Sequence, residues 1–332
     1  MLPDTTRPVC VTGGTGFIGS YVVKTLLERG YTVHTTVRDV TNAAKLAHLT
    51  SLPGATDRLR FFRADLLEDG SFDQAIRGCA VVLHTASPCF FKDWSRAALV
   101  DPAVRGTLTV LETCAQTPSV RRVVLTSSIS AVAMSMGTLP PTHVYTDADW
   151  SDQGLLEKHE MWYMLSKTIA ERQAHAFMAA TPPRSFDLVV LNPVWVFGPM
   201  LQPVVNESSD QIGRYLQGKM TSIPNAYRSG IDVRDVANAH VAAFENPRAH
   251  GRYLLCGWQV PEAHMCRHIR ELVPTAPVPT RVDSKAQPRV LFDTTRAKAD
   301  LGLHTYISMA DSVDSTCQSL IEHGFGPTPS RL

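Results

Sequence analysis

Over its first 193 residues the chain alternates short β-branched runs with longer amphipathic runs, and this alternation constrains the fold more than any other feature. Strand-like runs such as PVCVTG (8 to 13), AVVLHTA (80 to 86) and FDLVVLNP (186 to 193) are apolar on both faces, and helix-like runs separate them. Strands of this kind lie in parallel sheets that helices cover on both sides. The sequence therefore predicts an α/β protein with a doubly wound parallel sheet.

A glycine-rich turn, VTGGTGFIGS, joins the first predicted strand to the first helix and contains a GxxGxxG pattern. Glycine allows a tight turn and a close approach of the backbone to a pyrophosphate, whose charge is stabilised by the amide groups and dipole of a helix N-terminus. A packed turn without a ligand would also use glycine, but a turn between a first strand and a helix is typical of a dinucleotide site. The residues expected to contact the dinucleotide here are Gly13, Thr15, Gly16, Phe17, Ile18 and Gly19.

The alternation ends at Pro193. We expect residues 1–193 to form a Rossmann-type dinucleotide-binding domain, to which residues 231–247 return as a strand and a helix. Turn-forming residues and a Pro-rich stretch mark 194–230 and 248–332, which are expected to form a smaller C-terminal substrate-binding lobe. Ligands of open parallel sheets bind beyond the carboxyl ends of the strands, so the catalytic cleft should lie between the sheet and this lobe.

The second predicted strand ends at Arg38 and Asp39, where the side chain that faces the ribose distinguishes NADP from NAD. An acid at this position binds free ribose hydroxyls, whereas a guanidinium binds a 2′-phosphate. Alternation along TVHTTVR makes Arg38 the last strand residue and places Asp39 in the turn, and Lys45 offers a second cation nearby. The sequence therefore favours NADP(H), with a solvated Arg38–Asp39 ion pair as the alternative. Asp65, at the end of the third strand, could bind adenine or cap the following turn.

Tyr163 and Lys167 are candidate catalytic residues because their spacing in MWYMLSKTIAE puts both side chains on one face of a helix. A phenol has a pKa of about 10, and a lysine cation one turn away, together with a positively charged nicotinamide ring, would bring that pKa nearer to neutral pH. The same spacing recurs at Tyr215 and Lys219, where Gly218 interrupts the helix and no serine-bearing strand precedes it at the expected place. We therefore expect Tyr215 to be an ordinary aromatic residue of the lobe.

The fifth predicted strand, in VVLTSSIS, ends at Ser127 and Ser128 beside the nicotinamide end of the expected cleft. A hydroxyl there can donate a hydrogen bond to a substrate carbonyl and to the oxyanion that develops from it. Paired serines at a strand end are also ordinary turn or cap residues. The pattern alone leaves both roles open.

Together these segments resemble the extended short-chain dehydrogenase/reductases, and more narrowly the dihydroflavonol 4-reductase and cinnamoyl-CoA reductase group. Within that group the chain is most similar to cinnamyl alcohol dehydrogenase-like and phenylacetaldehyde reductase-like members. The resemblance covers nearly the whole chain and rests on segments in the family's order: VTGGTGFIGS, TVRD, ADLLEDGSFD, HTASP, DPAVRGTLTVLETC, RRVVLTSS, WYMLSKTIAE, NPVWVFGPMLQP, IDVRDVANAH and GRYLLC. It implies an enzyme that reduces carbonyls to alcohols with NADPH.

The resemblance also implies a role for each matching residue. Ser128, Tyr163 and Lys167 would form the catalytic group, with Ser128 preferred to Ser127 because it leads into the following loop. The implied cofactor contacts, besides Tyr163 and Lys167, are Gly13, Gly16 and Gly19 at the phosphates, Arg38 and Lys45 at the 2′-phosphate, Asp65 and Leu66 at adenine, Thr85, Ala86 and Ser87 along the pyrophosphate and ribose, and Pro193 and Val196 near the nicotinamide.

Two departures from the family pattern narrow the substrate. Cinnamoyl-CoA reductases carry Asn-Trp-Tyr-Cys-Tyr around the catalytic tyrosine, whereas this chain has Met-Trp-Tyr-Met-Leu at 161–165. Dihydroflavonol reductases place an asparagine in the loop after the catalytic serine, where Ala133 stands here. We therefore expect a small, mostly apolar or aromatic aldehyde or ketone as substrate. The candidate pocket walls, for which core packing is the alternative, are Phe90, Phe91, Val132 and Met134.

Two other functions stay open at this point. A nucleotide-sugar epimerase or dehydratase shares the fold and the catalytic group but retains NAD through its cycle, and an acid in place of Arg38 would have favoured it. A non-catalytic sensor would bind NADP without chemistry, and it would need no acid at Tyr163.

Composition argues against several classes of partner. The chain of 332 residues has 32 basic and 31 acidic side chains, for a net charge of +1, and neither sign forms a long block, which disfavours nucleic acid and membrane surfaces. Only MLPDTTRP precedes the first strand, and no apolar run reaches the roughly 20 residues that span a bilayer. The seven cysteines lack CxxC spacing, so they are expected to be reduced and structural, with no metal site. We expect a cytoplasmic monomer or homodimer that binds a small-molecule carbonyl substrate.

Overall fold

The computed structural model describes residues 6–87, 94–135 and 137–327. The strands within these ranges are β1 (Val9–Thr12), β2 (Val33–Val37), β3 (Leu59–Arg63), β4 (Val81–His84), β5 (Arg122–Thr126), β6 (Val144–Tyr145), β7 (Asp187–Pro193), β8 (Trp195–Phe197), β9 (Tyr227–Asp232), β10 (Gly251–Leu255), β11 (Trp258–Pro261) and β12 (Leu291–Phe292). The α-helices are α1 (Phe17–Glu28), α2 (Ala43–Thr50), α3 (Ala55–Arg58), α4 (Asp73–Ile76), α5 (Arg96–Gln116), α6 (Gln153–Lys158), α7 (Trp162–Ala179), α8 (Glu207–Leu216), α9 (Val233–Glu245), α10 (Glu262–Leu272), α11 (Thr295–Leu301) and α12 (Met309–Glu322).

A parallel sheet of seven strands forms the centre of the protein, in the order β10-β7-β5-β4-β1-β2-β3. Every neighbouring pair in it is parallel. The chain builds outward from β1 through β2 and β3 on one side, and from β4 through β5, β7 and β10 on the other. The carboxyl ends of β1 and β4 therefore border the crevice where the strand order reverses. This arrangement confirms the predicted Rossmann-type doubly wound sheet.

Helices cover both faces of this sheet. α1 and α9 pack together on one face, and α5 and α7 pack together on the other. Side chains alternate between the two faces along β1: Val9 and Val11 belong to the core on the α1 side, whereas Cys10 belongs to the core on the α5 side. None of the three is more than 2% exposed, which explains why the strand reads as a continuous apolar run.

The remaining elements form smaller sheets beside the large one. Strands β8, β9 and β11 form a three-stranded sheet, in which β8 and β9 are parallel and β9 and β11 are antiparallel. Helix α12 packs against α8, α10 and this sheet. Strands β6 and β12 form a separate parallel pair.

The predicted limits of the large domain and the lobe need correction at two strands, β10 and β9. Residues 251–255 fall in the segment expected in the lobe, but β10 pairs in parallel with β7 and forms the edge of the large sheet. The alternation pattern could not reveal this, because the lobe elements separate β10 from the earlier sheet strands along the chain. Conversely, β9 lies in the three-stranded sheet, and α9 is the part of 231–247 that packs on the large one. The rest of the division stays a prediction.

The described ranges contain no helix with an apolar stretch long enough to cross a lipid bilayer. Their six cysteines are free thiols, and all but Cys256 are buried. These buried cysteines fill core positions as small apolar side chains.

Asp235 gives the fold a pH dependence that can be measured. Its buried carboxyl accepts the Ile307 N–H at 2.9 Å, and burial raises its pKa from 3.8 to about 6. Between these two values the native state keeps a proton that the unfolded chain releases, so this group makes the free energy of unfolding fall as pH rises, with no further loss above about pH 6.

Replacing this carboxyl with an amide should remove that loss. Asp235→Asn keeps an acceptor for the Ile307 N–H but has no group to titrate. Thermal melts should therefore show the variant gaining stability relative to the wild type between about pH 4 and about pH 6, with the difference levelling off at higher pH. A constant difference in Tm across this range would contradict the raised pKa.

Candidate active site

The turn between β1 and α1 has space only for glycine at its tightest points. Gly13 has a φ of 69°, and a Cβ on it would lie 2.9 Å from the Ala86 Cα. A Cβ on Gly19 would lie 2.4 Å from the Gly13 carbonyl oxygen. Gly16 closes the turn by donating its N–H to the same oxygen at 3.0 Å. The turn is therefore a cradle of bare backbone in front of α1, which suits a pyrophosphate.

The carboxyl ends of β1 and β4 are joined by side chains beside this turn. The Thr85 hydroxyl donates to the Thr12 carbonyl oxygen at 2.7 Å, and the Ala86 N–H donates to the Thr12 hydroxyl at 3.1 Å. The His84 Nδ1 lies 2.7 Å from that hydroxyl. Burial, aided by the charge of Lys167, lowers the pKa of His84 to about 3, so this histidine is neutral. Residues 85 and 86 are thus held against the glycine turn.

Helix α7 brings the predicted catalytic pair to the same crevice. The helix begins at Trp162, so Tyr163 lies in its first turn and Lys167 lies one turn later on the same face. The Lys167 Nζ lies 5.9 Å from the centroid of the Tyr163 ring and donates a hydrogen bond to the Ser87 Oγ at 3.0 Å. Lys167 therefore links α7 to the segment after β4, with its ammonium group beside the phenol ring.

The two serines after β5 have different surroundings. Ser127 is buried, and its hydroxyl donates to the Glu171 carboxylate. Ser128 is half-buried, and its hydroxyl oxygen accepts the Ser130 N–H at 3.1 Å. A serine hydroxyl that accepts one hydrogen bond still has a proton to donate. The geometry therefore favours Ser128 over Ser127 as the hydroxyl that contacts a substrate carbonyl.

Arg38 and Lys45 are exposed cations near the end of β2. In the described part of the chain Arg38 has no ion pair, so the alternative Arg38–Asp39 pair is not found. Asp39 instead accepts the Thr41 N–H at 2.9 Å and the Thr41 hydroxyl at 2.6 Å, and these bonds lower the pKa of its carboxyl. Asp39 thus stabilises its own turn, while the guanidinium of Arg38 is exposed to solvent.

Asp65 caps a turn, which is one of the two roles that its position allows. Its Oδ1 accepts the Leu67 N–H at 2.9 Å, and the Ser71 hydroxyl donates to its carbonyl oxygen at 2.7 Å. Its contact with adenine stays a prediction. All the other predicted cofactor contacts also stay predictions, among them Leu66 at adenine and Pro193 and Val196 near the nicotinamide.

The predicted pocket walls are only partly described. Val132 is 0% exposed and packs in a small apolar cluster with Tyr145 and Leu254, so its predicted pocket role is corrected to core packing. Met134 is half-buried, and its role as a pocket wall stays a prediction. The other two candidates, Phe90 and Phe91, lie outside the described residues.

The second tyrosine–lysine match is structural, as the sequence predicts. Tyr215 is 1% exposed, and its hydroxyl donates to the Glu262 carboxylate at 2.9 Å. Burial raises the pKa of this phenol far above its ordinary value, so it is a poor proton donor. Tyr215 is a buried aromatic of the lobe.

Three residues of the site were not predicted. A Cβ on Gly14 would lie 2.0 Å from the Thr35 Oγ1, and the paired glycines in VTGG were the available signal. Glu171 is buried, and an acid on the apolar face of α7 was the signal there. Glu207 is half-buried at the start of α8; burial raises its pKa while the Lys167 charge opposes that change. No local pattern indicates that Glu207 and Lys167 interact.

Known proteins with similar sequences and structures include several that are named as reductases. A family model described as "NAD dependent epimerase/dehydratase family" matches residues 9–257. Cinnamoyl-CoA reductase CAD2 of Medicago truncatula is 42% identical over 320 residues, which cover 96% of each chain. Vestitone reductase from alfalfa (Medicago sativa) aligns with a TM-score of 0.80 and 32% identity, over 96% of this chain and 99% of that one. The yeast methylglyoxal/isovaleraldehyde reductase Gre2, complexed with NADPH, aligns with a TM-score of 0.84 and 26% identity over the same shares.

The match to cinnamoyl-CoA reductase CAD2 extends over nearly the whole chain, and the range of the family model spans both the glycine turn and the Tyr163–Lys167 pair. They confirm the resemblance to the dihydroflavonol 4-reductase and cinnamoyl-CoA reductase group. The chain therefore belongs to the NAD dependent epimerase/dehydratase family, among its members similar to cinnamoyl-CoA reductase.

Proposed function

We propose that this protein is an NADP-dependent oxidoreductase that reduces a small, mostly apolar or aromatic aldehyde or ketone to the alcohol with NADPH. The observation that best supports this proposal is that one crevice holds both a tight glycine turn, which suits a pyrophosphate, and the phenol of Tyr163. Lys167 extends from α7 to Ser87 after β4, beside the glycine turn, and its Nζ lies 5.9 Å from the centroid of the Tyr163 ring. The relatives are named as reductases, and Gre2 was solved with NADPH.

The residues of the crevice fit NADPH, which supplies a hydride from its nicotinamide ring when bound. The backbone between Gly13 and Gly19 leaves room that a Cβ would fill, as close approach of a pyrophosphate requires. The guanidinium of Arg38 is exposed and can bind a 2′-phosphate through two parallel hydrogen bonds, with Lys45 as a second cation.

Tyr163, Lys167 and Ser128 have different roles in the reduction of the carbonyl group. Tyr163 donates a proton to the carbonyl oxygen, and the nearby Lys167 ammonium stabilises the phenolate that remains. The Ser128 hydroxyl donates a hydrogen bond to the same oxygen, which orients the substrate and stabilises the charge that develops there. The Lys167–Ser87 hydrogen bond keeps the ammonium group in place.

The proposed substrate class follows from the segment after Ser128. Ala133 is 8% exposed and lies in the same apolar cluster as Tyr145, so this position offers no polar side chain to a hydroxylated ring. The half-buried Met134 is the proposed wall in this segment. Mostly apolar carbonyl compounds suit such surroundings.

A nucleotide-sugar epimerase or dehydratase is the second candidate, because the matching family model is described by those activities. Such an enzyme retains NAD, whose free ribose hydroxyls would give Arg38 no phosphate to bind. A sensor without chemistry is disfavoured, because binding alone needs no proton donor at Tyr163.

We also propose a cytoplasmic location and a monomeric or homodimeric state. The free thiols of the described ranges suit a reducing compartment. Fluorescence microscopy of the tagged protein and light scattering of the purified protein would test these two proposals.

Parallel assays of NADPH and NADH oxidation test the proposed function. Aromatic aldehydes, aliphatic ketones and hydroxycinnamoyl thioesters would be offered with each cofactor, and absorbance loss would be recorded. We expect aromatic aldehydes or apolar ketones to be reduced, and NADPH to be used much faster than NADH. A purified protein that retains a non-exchanging NAD and oxidises NADPH with none of these compounds would support the epimerase instead.

A further inference from the structure

A buried cluster centred on Glu171 joins α7 to three strands of the large sheet. Its side chain is 0% exposed and lies one turn beyond Lys167. The carboxylate accepts hydrogen bonds from the Ser127 hydroxyl, the Asn192 Nδ2 at 2.7 Å and the Arg252 Nε at 2.5 Å. These partners lie directly after β5, in β7 and in β10. One carboxylate therefore connects the helix that carries the catalytic pair to three adjacent strands.

Asn192 extends this connection to the candidate catalytic serine. Its Nδ2 donates to the Glu171 carboxylate and also to the Ser128 carbonyl oxygen, at 3.1 Å. A single amide group thus bridges α7 and the backbone of Ser128. The Ser127 hydroxyl, on the neighbouring residue, donates to the same carboxylate.

Arg252 supplies the positive charge that this buried carboxylate needs. It is 5% exposed, lies over the Trp150 ring at 3.8 Å, and donates to the carbonyl oxygens of Asp147 and Asp149 at 2.9 and 2.5 Å. His175 lies 3.9 Å from the carboxylate, but burial lowers its pKa, so the arginine is the main counter-charge. Desolvation offsets much of the attraction in a buried ion pair, whereas the pair still holds its partners in one arrangement.

We propose that Glu171 is a positioning residue of the reductase site, which acts through Asn192 to fix Ser128 relative to Tyr163 and Lys167. This inference rests on the proposed function. Glu171 is fully buried, so it acts on the substrate only through other groups. Catalytic rates are sensitive to such placement, because a displacement of about 1 Å can reduce the rate by about a hundredfold.

Glu171→Gln tests the proposal, because it keeps the size of the side chain and removes its charge. One carboxylate oxygen becomes an NH2 group, which would face hydrogen-bond donors of Asn192 or Arg252. We expect kcat for carbonyl reduction to fall by about tenfold or more, with the Kd for NADPH changed by less than about twofold. An unchanged kcat in the folded variant would overturn the proposal.

The opposite end of the same two strands offers a matched control. Arg122 in β5 and Asp187 in β7 form a two-pronged ion pair, with both distances 2.7 Å, at the amino ends of these strands. Asp187→Asn breaks another arginine–carboxylate pair, with a more exposed carboxylate, far from the crevice. We expect this variant to lower Tm but to keep the wild-type kcat. If the two variants lower Tm alike and neither changes kcat, Glu171 has only a structural role.

A double-mutant cycle separates positioning of Ser128 from other effects. If Glu171 acts through Ser128, Glu171→Gln should cause little further loss of kcat in a Ser128→Ala background. If Glu171→Gln instead lowers kcat by the same factor in the Ser128→Ala background as in the wild type, the proposal is overturned. If Glu171→Gln does not fold, Asn192→Ala serves in the same cycle, because it removes the bridging amide and leaves the Glu171–Arg252 pair. A wild-type protein that reduces no carbonyl compound would defeat the proposed function instead.

Discussion

Tyr163→Phe is expected to abolish turnover while NADPH binding stays nearly intact. Phenylalanine keeps the ring beside Lys167 but removes the proton donor. General acid catalysis typically contributes about 10²- to 10⁴-fold, so kcat should fall at least into this range. NADPH oxidation with an aromatic aldehyde measures kcat, and fluorescence titration measures the Kd for NADPH.

Tyr215→Phe is the matched control for this prediction. It changes the tyrosine of the second YxxxK match, which is buried and bound to Glu262. We expect a lower Tm from the lost hydrogen bond and a kcat close to that of the wild type. Substantial activity in Tyr163→Phe would contradict the role of Tyr163 as proton donor.

Arg38→Ala is expected to weaken NADPH binding far more than NADH binding. The guanidinium is exposed and has no ion pair within the described ranges, so its removal should leave the fold intact. Hydrogen bonds to charged groups contribute about 1.5–3 kcal/mol, which corresponds to a roughly 10- to 100-fold rise in the Kd for NADPH. The Kd for NADH, which lacks the 2′-phosphate, should change little.

Asp39→Asn is the control for Arg38, because Asp39 is the neighbouring residue that could have faced the ribose. Its carboxylate is engaged with the N–H and hydroxyl of Thr41. We expect this variant to preserve the preference for NADPH over NADH. Equal losses of NADPH and NADH binding in Arg38→Ala would show that this arginine does not recognise the 2′-phosphate.

The glycine turn and the Tyr163–Lys167 pair could be predicted because both are local in sequence. The turn requires glycine wherever its own backbone or a neighbouring strand of the sheet leaves no room for a Cβ. The period of a helix places residues four apart on the same face. Such patterns determine geometry without knowledge of the rest of the chain. The parallel, doubly wound class of the sheet followed in the same way from the alternation of strands and helices.

Contacts between distant parts of the chain could not be predicted. Glu171 and Arg252 are 81 residues apart, and nothing local in either segment indicates that the two side chains pair. The burial of Glu171 depends on an arginine in β10, and no local pattern indicates that β10 joins the large sheet. The hydrogen bond from Ser127 to Glu171 could not be predicted either, because it also joins two residues that are distant in sequence.

Residue type also left some side-chain roles open. An apolar side chain such as Val132 suits either a pocket wall or the core, and its burial decides for the core. A carboxylate such as Asp65 suits either a ligand or a turn, and its bond to Leu67 shows the second role. The chemistry of a side chain defines what it can contact, but the tertiary structure decides in which direction it points.

Transfer of hydrogen from NADPH to a carbonyl compound is the most direct test of carbonyl reduction by this protein. The protein would be incubated with an aromatic aldehyde and with NADPH that carries deuterium at both C4 positions, and the alcohol would be analysed by mass spectrometry. Direct hydride transfer, with the proton delivered by Tyr163, predicts one deuterium on the carbinol carbon and a hydroxyl hydrogen that exchanges with solvent. The claim of carbonyl reduction by NADPH would be contradicted if no aldehyde or ketone gave an alcohol, or if the alcohol carried no deuterium on that carbon.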